Sequence, residues 1–262
     1  MRINFERAFQ WGVVAAASAV LLGVFAMHVK AADLGGSAGG YKDGPAESIP
    51  GVNWSGVYVG GLLGYGSGRA TLGGEVGIIP LETTAGIHTD TSLTGFVGGL
   101  TVGADWHVPS SRWVFGLYGD YVFGDRTGDI LGATFNKDEI AVRSKLSNQW
   151  ALGGRAGVLV TPGTLVFVKA GYTQADEAID ITGFGSSANL WKATKGGYEI
   201  GGGFESSLGS NFFLRGEYDY SDYGSSTIAS TTVPGVGSFK LTDDFSDNRF
   251  MAGVVYKFGM GR

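Results

Sequence analysis

Arg215, Glu217 and Asp219 occupy every second position of one short run, with Leu214, Gly216, Tyr218 and Tyr220 between them. An extended strand sends alternate side chains to opposite faces, so this run has one ionic face and one apolar face. Carboxylates and guanidinium groups gathered on one face can pair with each other, line an ion pathway, or act as acid and base. Asp120, Arg155, Glu205 and Arg249 hold equivalent positions on other alternating runs. Asp105, Lys169 and Glu199 lie on the same face. Hydrolytic chemistry would need a nucleophile with a base beside it. The histidines are His28, His88 and His107, and none forms a His-x-Ser arrangement on a strand face. His88 is a lone loop histidine without the clustered ligands a metal or haem site needs. Asp243 and Asp244 are the acids that could approach it, but nothing in the sequence requires this. No enzyme activity, cofactor or metal is therefore expected.

The elements that carry these residues follow from the pattern. Eight runs alternate, at 54–65, 95–108, 113–123, 148–160, 165–174, 197–208, 212–221 and 249–258. Most are ten to fourteen residues, the length of a tilted transmembrane β-strand. Their apolar face includes Leu63, Phe96, Trp106, Trp113, Leu117, Trp150, Tyr172, Tyr198 and Phe258. Many of the aromatics fall near strand ends, as interfacial girdles do. Tight turns at 109–112, 161–164 and 209–211 alternate with long connections at 66–94, 124–147, 175–196 and 222–248. Short turns at one end and long loops at the other are the asymmetry of outer-membrane barrels. The expected fold is all-β: an eight-stranded antiparallel up-and-down transmembrane β-barrel. A soluble lipocalin-like barrel and a β-sandwich are the rivals, with apolar side chains inside and charge outside.

Residues 1–31 read as a signal peptide: Arg2 and Arg7, an apolar stretch from Trp11 to Met27, then Val29-Lys30-Ala31 at the cleavage position. An uncleaved anchor is the alternative. Residues 32–52 read as a flexible periplasmic linker, 53–258 as the barrel and 259–262 as a short tail. Cleavage removes Arg2, Arg7, Lys30 and Glu6, a net of +2, so the chain's −5 becomes −7. That balance argues against nucleic acid as a partner. There is no cysteine, which excludes disulfide scaffolds and thiol catalysis. Glycine accounts for 47 of 262 residues without a Gly-X-Y period. Within alternating runs it permits curvature and close strand approach.

Several motifs resolve to nothing. Asp219 to Gly224 opens like a calcium loop, but its twelfth place is Ser230 rather than Glu. Asn53-Trp54-Ser55 fits a glycosylation acceptor by chance. Glycines 60, 61, 64 and 66 lack the helix a dinucleotide loop requires.

Trp54-Ser55-Gly56-Val57-Tyr58-Val59-Gly60-Gly61, Gly201-Gly202-Gly203-Phe204-Glu205, Glu217 through Gly224 and Gly253-Val254-Val255-Tyr256-Lys257-Phe258 occur in an order that resembles the opacity-like porin family of Gram-negative surface antigens. The resemblance spans about residues 53–258. It implies an eight-stranded barrel in the cell outer membrane, surrounded by lipid and lipopolysaccharide and inserted by the outer-membrane assembly machinery. It also implies a role as surface antigen, adhesin or narrow porin. Phe250, Ala252, Val254, Tyr256 and Phe258 match the family's alternating assembly signal, although Gly259-Met260-Gly261-Arg262 follow it. Tyr118 stands where the resemblance implies an inward Glu. Because eight strands leave an interior just wide enough for side chains, the inward charges are expected to fill the lumen rather than to line a channel. A closed barrel is expected to be a monomer.

Overall fold

The structure, a computed structural model, describes residues 52–78, 83–135, 138–183, 186–233 and 237–259. The expected signal peptide, the linker apart from Val52, and residues 260–262 lie outside these. The described residues form nine β segments: β1 (Gly56–Ile78), β2 (Thr83–His107), β3 (Trp113–Phe123), β4 (Arg126–Phe135), β5 (Asp138–Thr161), β6 (Thr164–Gly183), β7 (Ser186–Gly209), β8 (Phe212–Val233) and β9 (Gly237–Gly259). Every ladder is antiparallel, and β1 pairs with both β2 and β9, from Gly56↔Gly259 to Ile78↔Gly237. That pairing closes the sheet on itself. β3 and β4 both lie between β2 and β5, and act as one strand broken at Gly124-Asp125. The ring therefore has eight strands, as the alternating runs predict.

The periplasmic turns carry the residues their geometry demands. Ser210 and Asn211 both have positive φ, 50° and 69°, the two-residue hairpin whose twist matches its strands. Trp54 precedes β1 rather than belonging to it, and its indole Nε1 donates to the Pro162 carbonyl at 3.1 Å.

The outward face is the apolar one. Phe96 is 84% exposed, Leu63 74% and Leu117 69%. This overturns both soluble rivals: a lipocalin-like barrel would bury these side chains, and a sandwich would not close into one ring. Aromatic pairs mark the rims of the band. Tyr65–Phe96, Trp150–Tyr172 and Tyr198–Tyr220 lie at the upper rim, and Trp113–Phe115 and Phe212–Tyr256 at the lower. On β1 the band runs from Val57 to Tyr65. At about 3.3 Å per residue and a tilt of about 40°, it is about 20 Å tall, close to the apolar band of an outer-membrane barrel.

The strands continue well past the upper rim, which corrects the sequence reading. The connections at 66–94, 124–147, 175–196 and 222–248 are largely β-ladder, not loop: β1 pairs with β2 as far as Ile78↔Thr83, and β6 with β7 as far as Gly183↔Ser186. In water the outward positions need not be apolar, so alternation fades while backbone pairing persists. His88 thus lies on β2 opposite Gly73, not in a loop.

Above the rim the ring is incomplete. The β7–β8 ladder stops at Tyr198↔Asp222, although both strands continue. β2 meets β4 in one pair, Thr94↔Thr127. The extracellular extension is thus two four-stranded ladders, β2-β1-β9-β8 and β4-β5-β6-β7, with a seam on each side: β7 and β8 part, while β2 and β4 stay close, Gly128 lying against the Ser92 carbonyl, but share one ladder pair. Each seam follows a glycine of positive φ beside an aspartate. Gly124 has φ +117° before Asp125. Gly224 has φ +62°, and its N–H donates to Asp222 Oδ1 at 2.8 Å.

Candidate functional site

The lumen is packed in layers. At the periplasmic end Trp54, Tyr58, Val114, Leu159, Leu165, Phe213 and Val255 form an apolar plug. The Arg155 and Arg215 guanidinium groups lie over the Tyr58 ring at 4.6 and 4.7 Å, and Lys257 Nζ over Trp54 at 4.8 Å. Aromatic faces attract cations, so the plug also seats the first charged layer.

That layer centres on Glu205. Arg155 Nη1 donates to Glu205 Oε1 at 2.7 Å and Arg215 Nε at 2.9 Å, while Lys257 Nζ is 2.8 Å from Oε2. Asp105 accepts from Arg155 Nε at 2.8 Å, again from Arg155 Nη2, and from Lys257 at 2.7 Å. The bidentate Arg155–Asp105 contact is the strong geometry for this pair.

The next layer centres on a cation. Lys169 Nζ lies 2.8 Å from Asp120, 2.9 Å from Asp219, 3.2 Å from Glu217 and 3.6 Å from Glu199. The Tyr118 ring faces Lys169 at 4.9 Å, and its hydroxyl donates to Glu199 at 3.3 Å. At this position, where the family resemblance implies a Glu, a phenol supplies one hydrogen bond and a cation-binding face.

Arg249 continues the stack upward, donating to Glu199 and, at 3.0 Å, to Asp247. Asp247 also accepts from Arg126 at 2.5 Å. A roof of Ala70, Leu93, Leu146, Ala175, Tyr223 and Phe245 covers this layer. Above the roof, beyond the membrane, Lys195 joins Glu177 at 2.9 Å to Asp243 on the opposite sheet. Burial, reinforced by the Asp243 carboxylate, holds Glu177 above the ordinary carboxylate range.

Glycine makes room for the network. A Cβ at Gly116 would lie 2.3 Å from Asp105 Oδ1, and one at Gly201 would lie 2.2 Å from Asp219 Oδ1. Both glycines sit across a ladder from the charge they accommodate, Gly116↔Asp105 and Gly201↔Asp219.

The structure brings Asp120, Arg155, Glu205, Arg215, Glu217, Asp219 and Arg249 into the lumen together. It adds six partners: Asp105, Lys169 and Glu199, already on the ionic face in the sequence, and Lys257, Arg126 and Asp247. Lys257 was legible from parity, since it alternates with Val254, Tyr256 and Phe258. Arg126 and Asp247 fall in segments that read as loops. Phe250, Ala252, Val254, Tyr256 and Phe258 all sit on the outward face of β9. Asp243 turns inward to Lys195.

A family model for the outer membrane protein β-barrel domain matches residues 17–258. The 31 kDa outer-membrane immunogenic protein of Brucella melitensis is 25% identical over 221 residues, covering 81% of this chain and 87% of that protein. Among solved structures, the outer membrane protein OprG from Pseudomonas aeruginosa aligns at 15% identity and a TM-score of 0.46, covering 80% of this chain and 99% of that one. The outer membrane protease OmpT from Escherichia coli aligns at 7% identity and a TM-score of 0.46, covering 78% and 97%. With the family model spanning most of the chain and the same ring closed in the structure, the protein belongs to the outer membrane protein β-barrel domain family and resides in the outer membrane.

Proposed function

We propose that this protein is a non-enzymatic surface protein whose lumen is sealed and whose extracellular β extension is its contact surface. One observation carries the reading: the charged layers are stacked between two apolar layers, and the residues of both are buried. Arg215 and Lys257 are 2% and 1% exposed, and Phe245 and Val255 are 0%. A water-filled pore would leave its lining exposed and its charges separately hydrated. Here each charge is paired, as a buried ion must be. The same pairing argues against a hydrolase, because the lumen carboxylates are each engaged by a buried cation: even Glu199, which accepts from the Ser221 hydroxyl at 3.3 Å, is bound by Arg249.

On this reading the lipid-facing band spans the hydrocarbon of the outer membrane, and its upper rim meets lipopolysaccharide. The outward alternation of Phe250, Ala252, Val254, Tyr256 and Phe258 is what the assembly machinery engages. Within the membrane the protein is a monomer, because its ring has no free edge there.

Planar-bilayer recording tests the sealed lumen. The expected result is no stepwise current from the folded wild type. Discrete conductance steps that change in size in Arg155→Ala or Arg215→Ala would establish a narrow porin and overturn the reading.

A further inference from the structure

We propose that the free edge of β8 above the membrane takes up an extended segment of a partner polypeptide by strand addition. Residues 225–233 of β8 pair with β9 on one side, from Ser225↔Asp244 to Val233↔Gly237. Among the described residues they have no ladder on the other side, because β7 and β8 part after Tyr198↔Asp222. The parting is built into the chain: Asp222 Oδ1 accepts from the Gly224 N–H, Gly224 adopts φ +62°, and the β8–β9 register shifts between Asp222 and Ser225. The result is an exposed row of backbone donors and acceptors, the template that strand addition uses.

Composition singles out this edge. Proteins guard exposed strand edges with charge or proline. The three other edges at the seams each carry charge: Asp90 on β2, Asp129 on β4, and Lys192 and Lys195 on β7. From 223 to 233 β8 has no charged residue and no proline. It is rich in the β-branched residues that favour strands: Thr227, Ile228, Thr231, Thr232 and Val233. Ser225, Thr227, Ser230 and Thr231 are exposed, so small hydroxylated side chains flank the edge and leave the backbone accessible.

A second copy in the same membrane is a poor occupant. Side by side, two copies point β8 in the same direction, so β8 against β8 could form only a parallel ladder, the weaker kind, and the antiparallel alternatives, β2 and β7 of the second copy, carry the charges just named. A partner segment from outside the cell is free to approach antiparallel. This inference rests on the reading of the extension as a contact surface and names what it contacts.

The test uses the full mature chain folded in micelles and a synthetic peptide copying residues 237–248, the sequence that β8 already pairs with antiparallel. Amide hydrogen exchange is measured with and without peptide at about 1 mM, a concentration suited to a short strand partner. The expected result is slowed exchange at alternate amides within 225–233, and loss of that protection in the Thr227→Lys/Thr231→Lys variant. Both threonines are exposed, and a gel band that shifts on boiling, because a closed barrel resists detergent until heated, shows that the variant is folded. No protection, or protection of equal size in the lysine variant, would overturn the proposal. Either result would leave the sealed-lumen reading standing, since that reading fails only on a conductance step.

Discussion

Replacing Glu205 by Gln puts the lumen network to its sharpest test. Glu205 is 0% exposed and is shared by Arg155, Arg215 and Lys257. The nearby counter-charges are Asp105, which serves Arg155 and Lys257, and Glu217, which lies 3.9 Å from Arg215. Gln keeps one acceptor oxygen for the guanidinium groups but removes the charge, so three buried cations are left facing two carboxylates. Breaking a buried pair by removing one partner costs about 3–5 kcal/mol, and the retained acceptor places this case near 3. With a urea slope of about 1–3 kcal/mol per molar, the midpoint falls by about 1–3 M. The assay is urea unfolding from lipid vesicles, followed by loss of the heat-shifted band and by tryptophan fluorescence. Adding Arg215→Met removes the surplus cation, and the double variant should recover about 1–3 kcal/mol through coupling of contacting residues. A midpoint unchanged in Glu205→Gln, or costs that simply add in the double variant, would refute a tightly paired lumen and favour hydrated charges.

Two further predictions concern the extension. Gly224→Ala introduces a Cβ that meets nothing within 4 Å, so its cost comes from the φ of +62° alone. It should lower stability by about 1–2 kcal/mol, whereas Gly224→Asn should be nearly neutral, as denaturant midpoints would show. Glu177→Gln should stabilise the extension at neutral pH. Burial and Asp243 hold the Glu177 carboxyl above its ordinary value of 4.5. Its contribution is therefore fully present below pH 4.5 and lost as pH rises through the raised folded value. The variant lacks that loss, so its advantage over wild type should grow from acid to neutral pH. An advantage that shrinks over the same range would contradict the assignment.

What could be read from the sequence follows from where solvent imposes a rule. Between the two girdles lipid demands an apolar side chain at every outward position. The parity of Leu63, Leu117 or Val254 therefore identifies strand and face, and the charges of the other parity fall inward without further argument. Lys257 obeys that parity too, as the single cation of an otherwise apolar strand end. Beyond Tyr65 and Tyr220 no such rule holds. Ser67 and Arg69 face outward and Gly68 and Ala70 inward, and the segment reads as loop although its ladder to β2 and β9 is unbroken. Arg126 and Asp247 lie in segments of the same kind, where parity does not mark an inward charge. The Asp222-Tyr223-Gly224 motif drew notice as a failed calcium loop, while its role is to turn β8 away from β7.

The position of both seams has a single physical cause. Within hydrocarbon every backbone N–H and C=O must find a protein partner, so the ring must be complete. Above the headgroups water supplies partners, and a strand is free to leave its neighbour. Tyr198↔Asp222 is the last β7–β8 pair, and Tyr198 belongs to the upper girdle. Thr94↔Thr127 lies two residues beyond Phe96 on β2. The ring opens where the lipid ends, so the free β8 edge lies outside the hydrocarbon, on the side of the membrane from which a partner would approach.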